Sequence, residues 1–279
     1  MKIAALVLII TLFALSSCNQ GAPVNGKGAV DTIAEKTQPP ISRVGKPILS
    51  LGAITKSFSS FWSYFNQYAQ LHQDYPTFDE NNDAISKTKF LKAIQTAKYI
   101  PLVVFGKGDS LNFKLAAIPK QASKDIGAIL NNYATRELDL YQLEGKPVPD
   151  FQLTALNGKV YTATNTKGKI VLFKCWFINC VQCVAEMPTL NELVESLKDR
   201  DDILFISLAM DEKDDLRKFL AKTKFAYATV PNQTKYMSEK LKVSLYPTHF
   251  LINKKGIMVK AVSNAQDLKI YLEKELQKI

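Results

Sequence analysis

Apolar residues are distributed along this chain in distinct textures. Ile3 to Ala14 is an apolar run broken only by Thr11 and preceded by Met1-Lys2. From Asn19 to Pro47 large apolar residues are sparse and Gly, Pro, Lys, Thr and Ser are common, which predicts a flexible tether. A globular pattern starts near Ile48. Phe58, Phe61, Trp62, Phe65 and Tyr68 recur at three- and four-residue spacings, so Ile54 to Leu71 is expected to be a helix with an aromatic face. A packed core face explains such a stripe far better than a cofactor box. Asp74 to Asp83 reads as a turn-rich break around Pro76. A second helix is expected over Lys87 to Tyr99. Short strands follow at Leu102 to Phe105 and at Leu111, Phe113 and Leu115, either side of the Gly106 to Ser110 turn. Ala122 to Leu138 reads as a third helix. His72 stands alone here and is expected to have a surface or packing role, since metal sites need several ligands.

The texture changes at Gly145-Lys146-Pro147-Val148-Pro149, which marks a boundary. Phe151 to Thr162 reads as a hairpin turned by Asn157-Gly158. Strands are then expected at Lys169–Phe177, Ile203–Met210, Ala226–Val230, Thr248–Ile252 and Ile257–Val262. Helices are expected at Cys183–Asp199, Lys213–Thr223, Lys235–Leu241 and, capped by Asn264, Asn264–Ile279. A β-α-β start followed by a hairpin and a closing helix implies an α/β fold, a mixed central sheet with helices on both faces. The expected organisation is a signal segment at 1–18, a tether at 19–47, a small α+β domain of unassigned role at 48–140 and the α/β domain at 141–279.

The 279 residues suffice for two modest domains, and 47% hydrophobic content makes a buried core feasible. The net charge of +10 comes mostly from Lys spread in singles and pairs, which reads as a solvated surface. Attraction to an anionic membrane surface is the lesser reading. There is no basic run with interleaved aromatics, so no nucleic-acid partner is expected. The basic start, the apolar run and Leu15-Ser16-Ser17-Cys18 are marks of a secretory signal. The run is shorter than the ~20 residues that span a bilayer. The tetrapeptide resembles a bacterial lipobox. That resemblance implies lipidation of Cys18, an extracytoplasmic, periplasm-facing protein and a lipid anchor in the membrane. Asn19-Gln20 carries no Asp of the kind that argues for inner-membrane retention, and the choice of membrane stays open.

The four cysteines are too few for a disulfide scaffold. Cys180-Val181-Gln182-Cys183 falls where a strand becomes a helix. Backbone N–H groups at a helix N-terminus favour an anion, and thiols there fall from ~8.5 to ~3.5–7.5 in pKa. The thiolate attacks a disulfide, and the second sulfur, with two residues between them, resolves the mixed disulfide. Helix geometry predicts an exposed, attacking Cys180 and a shielded, resolving Cys183. Half of a zinc site is the first alternative, but no second CxxC exists and only Cys175, His72 and His249 remain as ligands. An inert disulfide is the second, closing a loop too small to stabilise much. No metal and no cofactor beyond a Cys180–Cys183 disulfide is expected.

The surroundings narrow this further. The strand Ile170-Val171-Leu172-Phe173-Lys174-Cys175-Trp176-Phe177 leads into Cys180, Glu186-Met187-Pro188 follows the pair, and Tyr246-Pro247-Thr248 precedes a buried strand. From about Tyr141 to Ile279 the chain resembles the thioredoxin-like superfamily, most closely its TlpA/ResA-like extracytoplasmic thiol–disulfide oxidoreductases. The resemblance implies a thioredoxin-like fold and an enzyme that exchanges protein thiols and disulfides, more often reducing than oxidising. Its substrates would include apocytochromes, and its electrons would come from a membrane thiol–disulfide donor. It implies a cis Pro247 facing the cysteines, with Tyr246 backbone groups presented to substrate, and a helix kinked at Pro188. It also implies a Glu186 near the thiols, although an acid in a helix first turn is favourable without catalysis.

The sequence departs from the family pattern at Asn179, where Trp is common, at Val181-Gln182 in place of Gly-Pro, and at Leu245, where Gly is common. Lys174 stands where the family often carries Asp, Glu or Asn. It either snorkels to solvent or stays inside and tunes the thiol pKa or shuttles protons. Cys175 alternates to the other face and reads as a packed, inert thiol. His249 is expected to be structural, with a lesser chance of lining the site. Rival functions are a peroxiredoxin-like peroxidase, which needs a T-x-x-C context absent here, and a metal or haem chaperone, for which Met187 and His249 are thin support. Recognition by the N-terminal domain is a third possibility.

Overall fold

The computed structural model describes residues 44–108 and 110–278. Cys18, the signal segment and most of the expected tether lie outside the described residues. The first part contains α1 (Leu51–Thr55), α2 (Phe58–Tyr68), β1 (Thr77–Phe78), β2 (Ala84–Ile85), α3 (Lys87–Gln95), β3 (Tyr99–Phe105), β4 (Leu111–Ala117) and α4 (Lys124–Tyr141). Ser57, Ser86 and Ser123 cap α2, α3 and α4 through their side chains, each meeting an otherwise orphaned N–H. Of the aromatic stripe, Phe61 and Phe65 are buried against β3, α3 and α4, with Tyr64 outside the stripe buried beside them, whereas Trp62 and Tyr68 are partly buried and Phe58 stays 36% exposed. The Tyr64 hydroxyl donates to Pro101 O (2.8 Å) and accepts from Val103 N (2.7 Å), tying α2 to β3.

Two features differ from the periodicity. The expected single helix over Ile54 to Leu71 is two helices, restarted by the Ser57 cap. The turn-rich segment after Asp74 supplies β1, parallel to β4 in a sheet ordered β2-β1-β4-β3. A two-residue strand has no alternation to read; it exists because β4 offers it an edge.

The second part contains the hairpin β5 (Gln152–Thr154) and β6 (Val160–Thr162), then β7 (Ile170–Trp176), α5 (Val181–Ala185), α6 (Met187–Ser196) and β8 (Ile203–Ala209). It continues with α7 (Lys213–Leu220), β9 (Ala228–Val230), a π-helical turn (Tyr236–Lys240), β10 (Thr248–Ile252), β11 (Met258–Val262) and α8 (Ala265–Leu276). Gly158, at φ +85°, takes the left-handed position in the hairpin turn. The central sheet runs β11-β10-β7-β8-β9. β7, β8 and β9 are parallel, while β10 and β11 return antiparallel. Every residue of β7 is buried, as a strand covered on both faces must be. One face packs Phe173 and Cys175 with Ile206, Phe250 and Met237. The other packs Ile170 and Leu172 with Leu190 of α6 and Leu268 and Leu272 of α8. This mixed sheet with cover on both faces is a thioredoxin-like fold.

Polar side chains join the two parts. His72 Nε2 lies 2.8 Å from Asp267 Oδ2 in the first turn of α8. Lys260 of β11, only 2% exposed, donates to Asp74 (2.6 Å) and Glu144 (3.2 Å). His72, with no histidine or cysteine near it in the first part of the sequence, thus has a partner 195 positions away.

Candidate redox site

β7 delivers the chain to a short turn that starts α5. Asp211 Oδ2, just after β8, accepts the Ile178 N–H (2.8 Å) and pins that turn. Cys180 is the N-cap of α5: its Sγ accepts the Cys183 N–H at 3.2 Å. The two cysteines are joined by a disulfide of 2.05 Å, with Cα atoms 5.2 Å apart. A sulfur at that cap faces the positive end of the turn, where a thiolate is stabilised.

Cys180 is less open than a helix tip suggests. It is 7% exposed and Cys183 0%, so the two rank as expected, but the first is covered too. The cover comes from the flanking residues of the turn and, across the fold, from Tyr246. Phe177, Ile178, Val184 and Tyr246 pack on the cluster of Cys180, Cys183, Trp176 and Met187, and Tyr246 meets Phe177 edge to face at 5.5 Å. The Tyr246–Pro247 peptide is cis. Val181, 84% exposed, and Leu245, 42% exposed, are open apolar side chains next in sequence to Cys180 and Tyr246.

The expected helix from Cys183 is interrupted. α5 ends at Ala185 and α6 restarts at Met187 with Pro188 in its first turn. Proline lacks an N–H and clashes with the turn before it, so the break falls at Glu186. Glu186 is thereby turned into a buried cluster. Its Oε2 accepts Lys174 Nζ (2.8 Å) and His249 Nε2 (3.0 Å), and its Oε1 accepts the Ala265 N–H at the start of α8 (2.9 Å). Burial alone would raise its pKa, but the His249 hydrogen bond and charge, with those of Lys174, hold it at about 2. Lys174 does not snorkel: it is 0% exposed, because β7 is the central strand and both sheet faces are covered. Burial lowers its pKa against the pull of Glu186. Burial likewise lowers the pKa of His249, the Glu186 hydrogen bond opposes, and the Lys174 charge adds to the lowering.

The register shows why these residues meet. Lys174 of β7 pairs with His249 of β10 and with Ser207 of β8, which pairs with Thr229 of β9. One buried polar row therefore crosses four strands, and Ser207 Oγ donates to Thr229 Oγ1 (3.0 Å). His249 is the site residue that sequence reasoning underweights. Its signal is the two-residue step from Pro247, which puts it on the face of Lys174 once the strands pair. Cys175 lies on the opposite face, 0% exposed, and burial pushes its thiol up. Among the described residues no group of three His, Cys, Asp or Glu side chains is placed to hold a metal ion.

The AhpC/TSA family profile matches residues 144–261. The thiol-disulfide oxidoreductase ResA of Bacillus thuringiensis subsp. konkukian is 32% identical over 136 residues, 48% of this chain and 78% of that protein. A protein of the same name from Bacillus cereus is 36% identical over 138 residues, with the same shares of each chain. The chain belongs to the ResA family of thiol–disulfide oxidoreductases. Among solved structures, the thioredoxin domain of a thiol-disulfide oxidoreductase from Bacteroides vulgatus matches with a TM-score of 0.43 and 24% identity, over 47% of this chain and 96% of that one. As a ResA-family member the protein is an enzyme, a protein disulfide oxidoreductase whose substrates are thiols and disulfides. The matched profile starts at Glu144, beyond the helices and strands of the first part.

Proposed function

We propose that this protein is a lipid-anchored, extracytoplasmic oxidoreductase that reduces disulfides in other proteins through Cys180 and Cys183. The observation that carries the reading is the N-cap geometry, with the Cys180 sulfur 3.2 Å from the Cys183 N–H at the start of α5. That placement stabilises a Cys180 thiolate and leaves the fully buried Cys183 to resolve. The Cys180 thiolate attacks one sulfur of a substrate disulfide and displaces the other as a thiolate. Cys183 then attacks Cys180 Sγ, re-forms the Cys180–Cys183 bond and releases the reduced substrate. A membrane thiol–disulfide donor returns two electrons to the pair. The loop at Tyr246 and the cis Pro247 presents backbone to the substrate chain, and the open Val181 and Leu245 side chains favour an apolar segment there. Buried beneath the pair, Lys174 and Glu186 set its electrostatics. The anchor rests on Cys18 at the end of the apolar run Ile3 to Ala14; among the described residues no helix is long and apolar enough to cross a membrane.

Purified protein is expected to cycle between dithiol and disulfide and to reduce insulin. Cys180→Ser is expected to abolish that activity, and retained activity refutes the mechanism. The reduction potential of the pair decides direction. A value near thioredoxin's, about −270 mV, fits a reductant, and one near about −120 mV marks an oxidant.

A further inference from the structure

The exchange cycle leaves one proton without a destination. Cys183 has to lose its proton before its sulfur attacks Cys180 Sγ, yet it is 0% exposed, and burial disfavours a thiolate. Glu186 is not the acceptor. Both of its oxygens already take hydrogen bonds, and those from His249 and Lys174 hold its carboxyl below the ordinary carboxylate range. Lys174, while charged, has no lone pair.

His249 is the remaining group. It is 0% exposed on β10, across from Lys174. An ionised carboxylate only accepts, so the ring nitrogen 3.0 Å from Glu186, Nε2, carries a hydrogen. In the neutral ring Nδ1 then holds a lone pair, and it has no hydrogen-bond partner among the described residues. Buried polar atoms are nearly always paired, so an unpaired basic nitrogen needs an explanation. Its location supplies one. Glu186 follows Cys183 by three residues, and side chains three apart on a helical turn lie about 5–6 Å apart at Cβ. The carboxylate that holds the imidazole thus belongs to the turn that carries the shielded sulfur. The other charged or titratable groups around the ring are Lys174 from β7 and, near Glu186, Tyr227 just before β9. α8 contributes the Ala265 N–H to Glu186, and β11 places Val262 opposite His249.

We propose that His249 Nδ1 accepts the proton of Cys183 during resolution of the mixed disulfide. The Cys183 S–H bond breaks and its proton goes to Nδ1, giving an imidazolium held by Glu186. The Cys183 thiolate attacks Cys180 Sγ, the Cys180–Cys183 bond forms, and the bond from Cys180 to substrate breaks. The substrate leaves as a thiolate, and the imidazolium gives its proton back to that thiolate or to solvent. The enzyme dithiol is oxidised and the substrate disulfide reduced, with no other reactant. Lys174 raises the cost of the imidazolium, which keeps His249 neutral and ready between turnovers.

The inference rests on the CxxC exchange reading, and one assay separates the two. Full-chain Cys18→Ser protein is pre-reduced and mixed with 5,5′-dithiobis(2-nitrobenzoate). The first coloured thiolate released reports attack by Cys180, and the second reports resolution by Cys183. His249→Gln keeps an amide N–H for Glu186 and removes the base. Its first phase is expected to stay within about twofold of the parent, and its second to slow by about 10- to 100-fold at pH 7, the low end of general-base effects. The slow phase should recover as pH rises and Cys183 ionises unaided. A second phase with the parent's rate and pH profile overturns the assignment. Should His249→Gln fail to fold, the parent protein decides. Its second phase should show an ionisation below the ordinary imidazole range that the first phase lacks, and its absence overturns the assignment. Cys183→Ser should stop after one equivalent; a second equivalent from it overturns the exchange reading and this inference with it.

Discussion

Removing Glu186 should destabilise the protein more than removing its lysine partner, and the structure sets the difference. Glu186 accepts from Lys174 Nζ, His249 Nε2 and Ala265 N at 2.8, 3.0 and 2.9 Å. Glu186→Ala leaves Lys174, 0% exposed, without its partner. Breaking a buried ion pair from one side costs about 3–5 kcal/mol, and each buried donor left unpaired about 1–3 kcal/mol. Two circumstances reduce the sum. Lys174 can shed its proton, since burial already lowers its pKa, and the Ala265 N–H is a helix-terminal donor that a water can serve. The expected loss is about 4–6 kcal/mol. Lys174→Met keeps an unbranched chain of similar length and leaves Glu186 two of its three donors, so about 1–3 kcal/mol is expected. Urea unfolding of the oxidised proteins at pH 7 measures both, with equal slopes as the check that only stability changed. Equal losses, or a larger loss from Lys174→Met, would refute the view that Glu186 organises the cluster. The cluster also has a pH signature. Glu186 is held at about 2, below its ordinary 4.5, so its contribution is complete above about 4.5 and is lost as pH falls from there through about 2. Glu186→Gln should flatten that acid limb.

Two further outcomes are expected. Cys175 is the free cysteine among the described residues, and burial pushes its thiol up. Oxidised full-chain protein carrying Cys18→Ser should therefore show no maleimide-reactive thiol when native and one equivalent when denatured; a rapidly labelled native thiol contradicts the packing described. Asp267→Asn removes the ionised partner of His72, 2.8 Å away, and should cost about 1–3 kcal/mol at pH 7. Burial alone would raise the Asp267 pKa, but the His72 hydrogen bond and charge, with Asn264, hold it below its ordinary 3.8. The stability gap to wild type should therefore be full above about 3.8 and close as pH falls below it, which thermal melts at pH 7 and pH 3 would reveal. An unchanging gap would mean that the Asp267 charge is not what matters.

Local chemistry made much of this protein legible in its sequence. A strand buried on both faces shows as a nearly continuous apolar run, as in β7, interrupted by Lys174. A glycine suited to φ > 0 marks the β5–β6 turn, and an amide side chain marks the start of α8 at Asn264. The CxxC pair could be placed at a strand-to-helix junction for the same reason: the features that put it there lie within a dozen residues. The site's remaining parts depend on pairing between distant segments. Periodicity shows that Lys174 and His249 each face one side of a strand, but not that β7 and β10 are neighbours in register. That pairing, with the break before Pro188, brings Lys174 and His249 to the carboxylate of Glu186. Burial on the central strand then keeps Lys174 from solvent, and packing by Phe177 and Tyr246 covers a cysteine that its helix position alone would leave open. Short-range propensity and spacing were enough to mark most of the longer elements and the candidate CxxC pair, but not the two-residue strands of the first sheet or the exact breaks within helices. Strand order, the union of the buried triad and the link from His72 to Asp267 come from long-range packing, because each joins residues that share no local pattern and meet only after the chain closes its long loops.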